Sequence, residues 1–113
     1  MSRRLEKINS LLQKEISKIL SREIDFGETL VTITNVKTSQ NLLETEILIT
    51  VFPQEEEERT LRILRSNIYD IQKILNKKLR MRPVPKINFK IDEGMKNLYK
   101  IDEISKRNIN HDK

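Results

Sequence analysis

Seven cationic side chains, Lys73, Lys77, Lys78, Arg80, Arg82, Lys86 and Lys90, fall between Ile71 and Ile91 with no carboxylate among them. The whole 113-residue chain has a net charge of +5, so this stretch holds more positive charge than the protein as a whole. Charge gathered on one element polarises the field and concentrates anions beside it. At about 100° per residue, Lys73, Lys77 and Arg80 fall within about 60° of one another on a helix. They lie opposite an apolar stripe of Ile68, Ile71, Leu75 and Leu79. A solvated face tuned for stability would interleave acids at i,i+4, because like charges at that spacing cost free energy. Lys78 projects nearer the stripe, where its stem would pack and its ammonium reach water. Arg80, Arg82 and Lys86 continue along a connection stiffened by Pro83 and Pro85. A rigid connector loses little ordering entropy when its guanidinium groups meet phosphate. The chemistry on offer is non-covalent binding of a polyanion. Arg3, Arg4 and Lys7 form a second, smaller basic group, diluted by Glu6.

Covalent chemistry finds few candidates. There is no cysteine, which removes disulfides, thiol catalysis and Cys-based zinc sites. Only Gly27 and Gly94 are present, and isolated glycines cannot form a phosphate-cradling loop. The one histidine, His111, sits beside Asp112 in a polar tail and is expected to be solvated. Glu55 to Glu58 form an acidic run, but consecutive helical residues point in different directions and no His or Cys accompanies them. Negative charge there suits a helix start. Asp92-Glu93 and Asp102-Glu103 are likewise unaccompanied, and no nucleophile-elbow pattern occurs. No catalytic constellation, metal site, cofactor or small-molecule substrate is expected. Aromatic residues are few: Phe89 falls on the apolar side of its segment, while Tyr69 and Tyr99 are the exposed candidates. Recognition through backbone and shape suits this composition better than a run of stacked bases.

The elements that must position these groups follow from periodicity. Leu5, Ile8, Leu12, Ile16, Ile19 and Leu20 predict an amphipathic helix over 3–24, with Ser2 as N-cap. Residues 30–37 are rich in β-branched side chains and predict a strand. After a polar turn at 38–41, residues 42–52 alternate, with Leu43, Thr45, Ile47, Ile49 and Val51 on one face. That pattern predicts an antiparallel strand with one wet side. Pro53 stops it, and the apolar stripe from Leu61 to Leu79 predicts a long helix from 54 to 80. A helix of that length invites a break, best placed at Ser66-Asn67. Pro83 and Pro85 push Arg82 and Val84 to extended geometry and launch a strand over 86–92 with Ile87, Phe89 and Ile91 inward. Met95, Leu98, Ile101 and Ile104 predict a short final helix after Gly94.

The order α-β-β-α-break-α-β predicts an α+β fold, three strands with helices on one face. The length allows one domain that buries roughly two-thirds of its unfolded surface. It is expected over 1–105, with 106–113 a polar, frayed tail. The basic start lacks an apolar segment behind it and nothing approaches a membrane span, so a cytoplasmic, soluble protein is expected.

The segment Leu79-Arg80-Met81-Arg82-Pro83-Val84-Pro85-Lys86-Ile87-Asn88-Phe89 closely resembles the ribosome-binding factor A family. The family carries a basic-apolar run, then Arg, a variable residue, Val-Pro, an acid, an apolar residue and an aromatic strand ending in Asp. Arg82, Val84, Pro85, Phe89 and Asp92 match, while Lys86 stands where an acid is frequent. Leu30 to Val36 resembles the family's first strand, and Arg3 or Arg4 followed by Ile8, Leu12, Ile16 and Leu20 its opening helix. The likeness spans 3–105.

The resemblance implies a type II KH-like fold. Related single-strand-binding domains clamp nucleotides with a GxxG loop between two helices; this family has an Ala-x-Gly kink instead. Here Asn67-Ile68-Tyr69 stands at that place, so a GxxG clamp is not expected, and the interhelical kink is assigned to Ser66, Asn67, Ile68 and Tyr69. The implied function is non-catalytic binding of a monomer to the free 30S subunit and its 16S rRNA in late maturation, with roles in 5′-end processing and growth in the cold. Lys73, Lys77, Arg80, Arg82 and Lys86 are the expected rRNA contacts, with Arg3, Arg4 and Lys7 second. The other class left open is a protein-interaction module whose basic face meets an acidic protein.

Overall fold

The computed structural model describes residues 3–98. The first helix, α1 (Arg3–Glu23), buries Leu12, Ile16, Ile19 and Leu20, the i, i+4, i+7, i+8 spacing of a single stripe. In the turn that follows, Gly27 takes a positive φ of 68° and donates its N–H to Asp25 Oδ1 at 2.8 Å. A side chain at that φ would be strained, which is why glycine stands there.

Three strands follow the predicted ranges closely: β1 (Leu30–Thr38), β2 (Glu44–Phe52) and β3 (Lys86–Ile91). They form one sheet in the order β1-β2-β3. β1 and β2 are antiparallel, with a bulge between Ile33 and Asn35, whereas β2 and β3 are parallel. The strand expected from its alternation to be antiparallel therefore has one neighbour of each kind. A parallel pair requires a crossover, and residues 53–85 supply it. Thr45, Ile47, Ile49 and Val51 of β2 are buried, together with Ile87 and Phe89 of β3; the alternate residues face outward.

A 3-10 turn (Gln54–Glu56) leads into α2 (Glu57–Ser66), and α3 (Ile68–Lys78) follows after Asn67. The break falls where expected, and no glycine is needed because Asn67 stays at φ −104°. Its side-chain Nδ2 donates to the Ile63 carbonyl at 2.7 Å, as does Ser66 Oγ at 3.0 Å. The Ile63 carbonyl also accepts the Asn67 N–H at 3.1 Å, so donors converge on it at the break. Leu64, Ile71, Leu75 and Leu79 complete a core shared with α1 and the sheet. All helices lie on one side of the sheet, so the other face is open.

β3 ends one residue earlier than predicted because Asp92 starts a helical turn. Its Oδ1 accepts from the Met95 N–H at 3.1 Å, a capping bond, and residues 93–98 are helical with Gly94 among them. The expected Ser2 cap, Tyr99, the continuation through Ile101 and Ile104, His111 and the tail lie outside the described residues. No described helix is long and apolar enough to cross a membrane.

Candidate nucleic-acid interface

On α3, Lys73 and Lys77 are exposed on the face turned away from buried Ile71 and Leu75. Arg80 is exposed just past the helix end, and Lys78, expected along the apolar stripe, is exposed too. Ion pairs elsewhere in the molecule sharpen the contrast. Arg59 pairs with Glu56 at 3.0 Å, Lys96 with Glu57 at 3.1 Å and Lys90 with Glu46 at 3.1 Å. Among the described residues, Lys73, Lys77 and Arg80 have no carboxylate partner. Their fields add outward instead of being neutralised on the surface. Lys77 and Lys78 also close the C-terminal turn, where cations complement the helix dipole.

The connector after α3 is held at its far end by a side chain of the helix. Gln72 on α3 donates from Nε2 to the Pro85 carbonyl at 3.0 Å and accepts the Ile87 N–H on Oε1 at 2.9 Å. Pro85 is fully buried, and the Lys86 N–H bonds the Leu43 carbonyl at 2.9 Å. The C-terminal end of the proline segment is therefore pinned twice, by a helix and by the sheet.

The expected basic cluster is divided by this geometry. Arg82 is exposed, but its Nη1 donates to the Leu79 and Met81 carbonyls, each at 2.7 Å. Its guanidinium braces the connector. Lys86 sits in register with Glu44 on β3 and β2, on the open face of the sheet and across the sheet from the helices. Lys37 and Glu46 also face each other there, and with Lys90 they make that face mixed in charge. Arg3, Arg4 and Lys7 are exposed on the first turns of α1. Lys73 and Lys77 share one face of α3, whereas Arg80 follows the extended Leu79 past the helix end, where the helical spacing no longer sets its direction.

Two basic residues were not singled out from the sequence. Arg62 and Arg65 are exposed on α2 and line, with Glu58, Leu61 and Ser66, an open hollow of about 640 Å³. Their segment is acidic in sum, which hid them; their i,i+3 spacing was the available signal. A second omission is Thr34, the extra residue of the β1 bulge. Its hydroxyl donates to Asp92 Oδ2 and lies 3.3 Å from the Leu48 carbonyl, tying the end of β3 to β1. This hydroxyl, then the Met95 amide, holds the Asp92 carboxyl below its usual range. The bond that Lys96 donates to Glu57 raises the pKa of its ammonium above the usual value. Both shifts belong to structural pairs.

Among the described residues, no group of three His, Cys, Asp or Glu side chains could hold a metal ion. Within the Glu55–Glu58 run, Glu56 and Glu57 are engaged by Arg59 and Lys96.

A mixed three-stranded sheet with α1 and a broken helix pair on one side is an α+β fold of the type II KH-like kind, here carrying a row of unpaired cations on the helix after the break. The family model described as "Ribosome-binding factor A" matches residues 4–105. A ribosome-binding factor A from Chlorobium phaeovibrioides is 34% identical over 107 residues, covering 92% of this chain and 90% of that protein. The chain belongs to the ribosome-binding factor A family. The crystal structure of ribosome-binding factor A from Thermus thermophilus superposes with a TM-score of 0.69 at 20% identity, covering 77% of this chain and 93% of that one. Coordinates of the Thermus thermophilus factor fitted into a cryo-EM map of a 30S complex match with a TM-score of 0.61 at 24% identity, covering 73% and 88%. At those identities the two structures bear on the fold.

Proposed function

We propose that this chain is a non-catalytic assembly factor that docks on the free 30S ribosomal subunit through phosphates of its 16S rRNA. Family membership supports the ribosomal partner, as does the 30S complex described for the Thermus thermophilus factor. Lys73, Lys77 and Arg80, which are in no ion pair among the described residues, support phosphate as the ligand. Arg3, Arg4 and Lys7 add a second contact. Lys86 adds charge from the sheet face, and Arg82 keeps the connector in shape. The protein acts as a cytoplasmic monomer with one domain through residue 105 and a polar tail from 106, in late maturation of the subunit, with 5′-end processing of the precursor rRNA and growth in the cold as its consequences.

Co-sedimentation with purified 30S subunits tests the site. Lys73→Glu, Lys77→Glu and Arg80→Glu combined should abolish co-sedimentation and leave the circular dichroism spectrum unchanged, since these side chains are exposed and make no internal bond. Binding undiminished by the triple reversal would refute the assignment. Arg82 is left out because its bonds to the main chain would confuse a binding defect with a structural one.

A further inference from the structure

Tyr69 is 75% exposed, the largest exposure among the apolar and aromatic side chains that stand out from the surface. It lies in the first turn of α3, and Lys73 and Lys77 follow at i+4 and i+8. Residues so spaced share a helix face and are separated by about 6 Å along the axis per step. Tyr69, Lys73 and Lys77 therefore form one line on the solvent side of α3, opposite Ile71 and Leu75. Among the described residues, the Tyr69 hydroxyl has no hydrogen bond and its ring supports nothing in the core. Asp70, the adjacent acid, projects about 100° further round the helix and leaves the approach to the ring clear.

We propose that Tyr69 is a stacking platform for one unpaired base of the bound RNA, with Lys73 on the phosphate beside it. This deepens the RNA-binding reading and rests on it. An aromatic face next to unpaired cations is the arrangement that takes a splayed nucleotide, ring on base and ammonium on backbone. Every base presents a π-face, so the platform selects an unpaired nucleotide over a paired one and tolerates any base identity. Phe52 is the contrasting case. It is 68% exposed and pairs in register with Leu30, itself 64% exposed, but on the open sheet face, remote from the cations of α3. Tyr69 stands just after the break made by Asn67, so the start of α3 is held by Asn67 and Ile71 while the ring projects free.

Titration of 30S subunits with Tyr69→Ala, Tyr69→Leu, Tyr69→Phe and Tyr69→Trp variants tests the proposal. Alanine and leucine should weaken binding by between about five- and a hundredfold, with the salt dependence unchanged because no charge is lost. Phenylalanine and tryptophan should bind like the parent protein. The chain has no tryptophan, so Tyr69→Trp supplies the factor's single reporter, read by difference against the parent complex, and stacking should quench its fluorescence at saturation. Leucine binding as well as phenylalanine, alanine matching the parent, or an unquenched tryptophan at saturation would each overturn the platform. Failure of the parent protein to bind 30S subunits is a different result: it overturns the RNA-binding reading, and this one with it.

Discussion

At the scale of single residues, two side chains make opposite statements about satisfying a polar group. Thr60 on α2 is fully buried, and its hydroxyl finds no partner among the described residues. An unsatisfied buried hydroxyl costs free energy that an isosteric methyl does not. Thr60→Val should therefore raise stability by about 1 kcal/mol, seen as a higher urea midpoint with an unchanged slope. Asp92 is the satisfied case. The Thr34 hydroxyl and the Met95 amide depress its pKa in the folded state. A depressed carboxylate contributes stability that is fully present above its unfolded value of about 4 and is lost as pH falls through the lower folded value. Asp92→Asn should cost on the order of 1 kcal/mol at pH 7. Its deficit relative to the parent should close as pH drops below about 4; thermal unfolding at stepped pH measures both. A deficit independent of pH would show that the charge plays no part.

At the scale of elements, α3 does two jobs with two faces. Its inner face packs Ile71 and Leu75 against the core, and its flank carries Gln72, which grips the main chain on both sides of Lys86. Gln72→Ala leaves the Ile87 N–H and the Pro85 carbonyl without that partner. Loss of one partner of a part-buried bond costs about 1–3 kcal/mol. The expected outcome is faster amide exchange at Ile87 and weaker subunit binding, although Gln72 itself meets no phosphate. Unchanged exchange at Ile87 would show that β3 is held by its ladder to β2 alone. The broken helix makes a related point. Asn67 bends the chain at negative φ and caps Ile63 with its own carboxamide, so Asn achieves here by hydrogen bonding what glycine would achieve by conformational freedom.

At the scale of the molecule, the distribution of charge matters more than its total. The cations of the open sheet face stand among Glu44 and Glu46, whereas Lys73, Lys77 and Arg80 are in no ion pair among the described residues. Each phosphate neutralised releases counterions and adds roughly 0.7–0.9 to the slope of log affinity against log salt. Lys73→Glu, Lys77→Glu and Arg80→Glu together should lower that slope by about two to three units, measured at salt low enough for the weakened complex to form. A partner that is an acidic protein would instead leave the protein without affinity for 30S rRNA at low salt.

The sequence alone determined the helices, the strands, the break at Ser66-Asn67 and the basic row, because each is written in local periodicity or local charge. Leu12, Ile16 and Leu20 mark one helical stripe, Ile47, Ile49 and Val51 one strand face, and Lys73 and Lys77 one solvent face, with no information needed from elsewhere in the chain; Arg80, expected on that same face, lies beyond the helix end at Lys78. Three things were decided by tertiary structure. The parallel pairing of β3 with β2 depends on where the crossover lands, which alternation within a strand does not encode. The separation of Lys86 from Lys73 and Lys77 depends on which side of the sheet the helices cover. The engagement of Arg82 by the Leu79 and Met81 carbonyls, and of Asp92 by Thr34, depends on main-chain and side-chain atoms meeting in space. Charge can be counted along a chain, but whether a charge is free is a property of its neighbours in three dimensions.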